Sequence, residues 1–154
     1  MAARSEIETV MTKHRTKTLL LMAALLTAPL PGAPQKNPDS GYVPPYHDAR
    51  KGLPALAKTL DPEYFSQPLV RSAYRIAKQK PRLLAQLPCY CYCDRIGHGS
   101  LLDCYASDHG AACLICIKEA FLADQMSRKD ETVATIRKAI TQGEWKTVDL
   151  RFRR

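Results

Sequence analysis

Outside one stretch the chain has no cysteine: all six lie between Cys89 and Cys116, and residues 1–88 and 117–154 contain none. Sulfur chemistry is therefore confined to a single region, and the rest of the fold has no cross-links to draw on. No apolar run is long enough to cross a membrane. The longest, Leu19–Leu30, has 12 residues and is interrupted by Pro29, Pro31 and Gly32, against roughly 20 for a spanning helix. No alternation of Val, Ile or Tyr extends far enough for a sheet, and no internal repeat is present. Paired carboxylates placed for acid–base work are missing, and Ser100, after Gly97-His98-Gly99, lacks the strand, elbow and helix a nucleophilic serine needs. Hydrolytic chemistry has no support, and an enzyme is not the expectation.

What is present at the start is basic and then apolar: Lys13, His14, Arg15 and Lys17 precede the run Leu19–Leu30. This pattern predicts a secretory signal peptide over residues 1–33, with Met11 as the natural start and cleavage after Ala33. No cysteine stands near its end for lipid attachment, so the expected product is periplasmic or secreted, without a stable membrane span. The formal net charge is +8, and it stays positive once the leader's basic and acidic residues are removed together. A basic tail, residues 151–154 (Arg-Phe-Arg-Arg), ends the chain. Basic and aromatic residues do not interleave elsewhere, so nucleic acid is not expected as a partner. The sequence names no protein partner.

From Pro34 to Pro68 the chain carries Pro38, Pro44, Pro45, Pro54 and Pro62 as well, with little apolar periodicity. Residues 34–61 read as a proline-rich linker. Beyond it, Leu69, Val70, Ala73, Ile76 and Ala77 recur at helical spacing, and Leu83, Leu84 and Leu87 resume after Pro81, predicting two short helices or one kinked helix. A further helix is expected from Gly110 or Ala111 behind an Asp108 cap, with Cys113, Leu114, Ile117, Ala120 and Phe121 turned inward. The last is expected to start at Ser127, whose spacing to Asp130 resembles a capping box, and to run through Val133, Ile136 and Ile140 to Gly143. The fold class that follows is all-α: a small helical domain with a cysteine-rich loop, residues 62–150. A domain of that size gains from a cross-link or a metal.

Pro88 precedes Cys89-Tyr90-Cys91-Tyr92-Cys93 and disfavours a helical Leu87. In an extended strand the alternation places three sulfurs on one side, about 6.5–7 Å apart, and both tyrosine rings on the other. Cys113 and Cys116, three apart at a helix start, share a face where the helix dipole favours thiolate. They are the expected reactive pair. His98, in a Gly-His-Gly loop, is a candidate ligand, with His109 weighed behind it. Asp94, Asp103 and Asp108 are expected as caps and turn formers, because hard oxygen donors suit a soft ion poorly. Tyr90 and Tyr92 are expected to fill core volume.

Pro88 to Cys93, with Cys104, the Cys113-x-x-Cys116 pair and the helices that follow, resembles the PCYCXC-motif family of exported bacterial proteins, some of them selenoproteins and many lipid-anchored. The resemblance covers roughly the C-terminal half. Family members often have glycine where this chain has Tyr92, and selenocysteine in relatives implies sulfur chemistry beyond stapling. Three uses of the sulfurs stay open. Cys89, Cys91, Cys93, Cys104, Cys113 and Cys116, with His98, are the candidate metal ligands for one or two soft ions, copper(I), zinc or mercury(II). The alternatives are a thiol-disulfide oxidoreductase with Cys113 or Cys116 attacking, and a domain stapled by three disulfides.

Overall fold

Proline starts the first two helices. In the computed structural model, which describes residues 41–151, Pro68 occupies the first turn of α1 (Pro68–Gln79) and Pro81 that of α2 (Pro81–Leu84). There the missing N–H costs no bond and the ring presets φ. Lys80, ahead of Pro81, is pushed out of the helical region to φ −127° and ψ 47°, so the helix breaks where the sequence predicts. Val70, Ala73, Tyr74, Ile76 and Ala77 form the buried face of α1. Three more helices follow, α3 (His109–Ala112), α4 (Leu114–Ser127) and α5 (Val133–Thr141). Among the described residues there is no strand, and the fold is all-α as expected. None of these helices is long and apolar enough to cross a membrane. The signal peptide expected over residues 1–33, the linker as far as residue 40 and residues 152–154 of the basic tail lie outside the described residues.

α4 is the axis of the domain. It packs against α1, α5 and the 3-10 turn Glu144–Thr147, and it buries Cys116, Ile117, Glu119, Ala120, Phe121, Leu122, Ala123 and Asp124. A helix covered on most sides needs apolar residues beyond a single stripe, as this one has. Its one buried aspartate is paired: Asp124, 2% exposed, meets Lys80 Nζ and Arg128 Nε, each at 2.8 Å. Burial alone would raise the Asp124 pKa, but the hydrogen bonds from Arg128 and Lys80 hold it below the ordinary carboxylate value.

Four expectations about these helices are corrected. The helix expected from Gly110 or Ala111 is two helices, because Cys113 is extended (φ −114°, ψ 106°) and stands as the N-cap of α4. The break lets Gly110 press against the carbonyl of Cys104 while α4 turns along the core. Asp108 stands at the start of α3 but makes no side-chain cap bond. Leu114, expected inward, is 57% exposed at the first position of α4. Ser127 ends α4 rather than starting the last helix. Its hydroxyl donates to the Asp124 carbonyl at 3.0 Å, which removes it as a cap, and Asp130 reverses the chain at φ +59°. Thr132 caps α5 instead, accepting the N–H of Thr135 at 3.1 Å.

An aromatic ladder ties the helices to the cysteine region. Phe65 packs on Tyr74 at 4.1 Å between ring centroids, and Tyr74 meets Tyr105 edge-on at 4.9 Å. Tyr74 donates to the Ser107 carbonyl at 2.6 Å and accepts from the Ala111 N–H at 3.1 Å. Tyr105 donates to the Cys116 carbonyl at 2.7 Å. Burial pushes the Tyr74 phenol up to about 12 and that of Tyr105 well above its usual value. Residues 41–61 run along this body: the His47 N–H donates to the Ala85 carbonyl and the Leu60 N–H to the Tyr105 carbonyl, both at 2.9 Å. Leu56, Ala57 and Leu60 pack against the core.

Candidate metal centre

The motif is a turn, and the strand expected for it is corrected. Tyr92 is left-handed (φ 58°, ψ 34°) and opens a 3-10 turn, Cys93–Ile96. Its N–H points back to the Cys89 carbonyl at 3.4 Å. A left-handed residue breaks the period of two and folds the chain on itself. Cys89 and Cys91 Sγ are consequently 3.3 Å apart, half the spacing that alternate strand residues allow. The rings of Tyr90 and Tyr92 meet edge-on at 6.1 Å, both half-buried.

The other sulfurs come to this turn from two directions. The 3-10 turn Leu101–Tyr105 places Cys104 Sγ 3.3 Å from that of Cys93. α4 places Cys116 Sγ 3.5 Å from Cys89 and 3.7 Å from Cys91. His98 Nδ1 stands 3.5 Å from Cys104 Sγ, and His109 Nε2 stands 3.7 Å from Cys91 Sγ. The two imidazoles meet edge-on at 5.0 Å. Cys89, Cys93, Cys104 and Cys116 are buried, whereas Cys91 and Cys113 are half-buried.

None of these contacts is a bond. A disulfide holds its sulfurs at about 2.05 Å, and all six cysteines are free. The spacing matches a ligand shell: with metal–sulfur bonds of about 2.3 Å, the sulfurs of a tetrahedral site lie about 3.8 Å apart. Three sets of donor atoms lie mutually within 4.8 Å: Cys89, Cys91, Cys93 and Cys104; Cys91, Cys104, His109 and Cys116; and Cys93, His98, Cys104 and His109. The cluster could hold a metal ion through these residues. Cys113 enters none of the sets. It interacts with Cys91 and Cys116 from the rim.

The thiols share their protons unequally. Hydrogen bonds from Cys104, Cys113, Cys116 and Cys89 converge on Cys91 and bring its pKa far below the ordinary thiol value. At Cys89 the contact with Cys104 lowers the pKa, but those with Cys116, Cys91 and Cys93, together with burial, shift it well above the ordinary thiol value. A metal ion held by these thiols would displace the protons they carry.

Glu119, on α4 and fully buried, supports the turn from behind. Its Oε1 accepts the N–H of Tyr90 at 2.8 Å, and the Cys89 thiol lies beside the same carboxyl. Burial pushes its pKa well up. Asp103 acts as the turn former expected, its Oδ2 accepting the N–H of Gly99 at 2.7 Å and holding the His98 loop. The hydroxyl of Tyr42 donates to Asp94, and the two tyrosines Tyr42 and Tyr92 stack at 6.2 Å.

Residues 46–147 match a family described as proteins of unknown function with a PCYCGC motif. The chain belongs to the PCYCGC-motif family. Tyr92 stands at the position of the motif's glycine, and its left-handed backbone is the conformation glycine adopts without steric cost. The family's matched region reaches from the extended segment at residue 46 to the last 3-10 turn, so it includes every donor named above. No curated protein and no solved structure matches the chain.

Sequence reasoning placed His109 behind His98, yet His109 enters two of the three donor sets and His98 one. Glu119 has only a weak signal in the sequence, an acidic residue beside Lys118 within the otherwise apolar stretch Leu114–Ala123.

Proposed function

We propose that this protein is an exported soft-metal-binding protein that holds a thiophilic ion, copper(I), zinc or mercury(II), through clustered cysteine thiolates. The observation that carries this reading is the convergence of Cys89, Cys91, Cys93, Cys104 and Cys116 at 3.3 to 3.7 Å, with no pair bonded and two imidazoles against them. Thiolates in this number select soft ions over magnesium or calcium. The basic and apolar start of the chain supports export, which would put the site where it meets ions outside the cytoplasm.

A second reading, thiol-disulfide exchange, is favoured by one feature: Cys91, whose pKa its neighbours lower, has its sulfur 3.3 Å from that of Cys89 and 3.7 Å from that of Cys116. The two readings separate on one sample. The exported form is purified anaerobically, its free thiols are counted and its bound metal is assayed. Near-complete thiol reactivity after chelation, with stoichiometric metal before it, supports metal binding. Metal-free protein with thiols that titrate reversibly well above about −300 mV supports exchange.

A further inference from the structure

The donors outnumber one coordination sphere, and Cys104 is the one residue common to all three donor sets. Cys89, Cys91 and Cys116 form a triangle of sulfurs with edges of 3.3, 3.5 and 3.7 Å. Cys104 Sγ lies within 4.8 Å of all three, so four sulfurs gather around one point. Cys104 is also 3.3 Å from Cys93 and 3.5 Å from His98, and these three lie with His109 mutually within 4.8 Å. Resting on the soft-metal reading above, we propose a two-ion centre whose two tetrahedra share one vertex, the sulfur of Cys104. Cys89, Cys91, Cys116 and Cys104 hold one ion as four thiolates. Cys93, His98, His109 and Cys104 hold the other as two thiolates and two imidazoles.

Charge supports the division. A lone divalent ion among four thiolates leaves surplus negative charge where Cys89, Cys104 and Cys116 are at most 3% exposed, and uncompensated charge in such a place is costly. A second divalent ion sharing Cys104 adds only the thiolate of Cys93, because imidazole binds neutral, so the surplus falls. Both donor sets, four sulfurs and two sulfurs with two nitrogens, suit tetrahedral divalent ions without geometric preference of their own, zinc or cadmium. The imidazole position is the open end, since both histidines are half-buried. Its ion exchanges first. The one cysteine left over, Cys113, touches the four-sulfur position at Cys91 and Cys116 but belongs to neither tetrahedron.

The test uses the full chain, reduced and loaded anaerobically with cadmium(II). Wild type is expected to bind two ions, to lose one before the other to a chelator, and to give two cadmium-113 resonances coupled to each other through the shared sulfur. The double variant His98→Ala/His109→Ala, whose side chains lie at the rim, is expected to keep one ion and the resonance of the four-thiolate position. Saturation of wild type at one ion, two ions in the double variant, or two uncoupled resonances would each overturn the shared-vertex centre while leaving soft-metal binding intact. Absence of bound cadmium in the reduced chain would overturn both.

Discussion

The carboxyl of Glu119 accepts the backbone N–H of Tyr90 at 2.8 Å, so a buried side chain on α4 holds the turn that carries three of the six cysteines. Burial already favours the uncharged acid, and an amide of the same shape retains the acceptor. Glu119→Gln is expected to leave the unfolding midpoint nearly unchanged. Glu119→Ala leaves the Tyr90 N–H unpaired and is expected to cost about 1–3 kcal/mol. Urea denaturation of the two variants checks the difference; equal losses would assign Glu119 no role in holding the turn.

Asp124 gives the domain an acid-sensitive joint. Its folded-state pKa is depressed by Arg128 and Lys80 against the effect of burial. Its contribution is therefore fully present above the ordinary carboxylate value of about 3.9 and is lost as pH falls from there through the depressed value. Asp124→Asn is expected to cost on the order of 2 kcal/mol near neutrality and to flatten the decline in stability below about pH 4. Denaturant midpoints across that range report both effects.

Tyr92 pays for its left-handed backbone with ring contacts to Tyr42 and Tyr90. Truncation to alanine removes the rings and keeps the strain, whereas glycine removes both. Tyr92→Gly is expected to be more stable than Tyr92→Ala by about 1 kcal/mol. A thermal melt in which alanine equals or exceeds glycine would contradict the left-handed turn.

At Gly110 a Cβ would stand 2.9 Å from the Cys104 carbonyl oxygen and 3.2 Å from the Tyr105 ring. Neither can retreat, because Tyr105 is fully buried and bonded to the Cys116 carbonyl. Gly110→Ala is expected to lose about 1–3 kcal/mol through overpacking and to weaken metal retention against a chelator, since Cys104 is the residue it displaces.

Cys113 and Cys116 look alike in sequence and differ in position. Cys113→Ser is expected to retain the metal content of the reduced wild-type chain, and Cys116→Ser to lower it, as read by metal assay after desalting.

Helix starts and faces were legible wherever one residue's own stereochemistry decides them. Pro68 and Pro81 each begin a helix, Lys80 breaks one, and the apolar spacing of Val70, Ala73, Ile76 and Ala77 reports their burial. Membership of a cysteine-motif family was equally plain from Pro88 to Cys93, as was the confinement of sulfur to one region. The shape of the site was not. Alternation of Cys and Tyr describes a strand as well as a turn, and only the packing of the motif against Glu119, Tyr42 and the 3-10 turn Leu101–Tyr105 settles Tyr92 in the left-handed region. The break at Cys113 and the central place of Cys104 likewise depend on tertiary contacts, of Gly110 with Cys104 and of Cys104 with Cys93. Local preferences act over a few residues and can be read in order. The sulfur cluster is made of contacts spanning up to 27 positions, as between Cys89 and Cys116, and no local preference reaches that far.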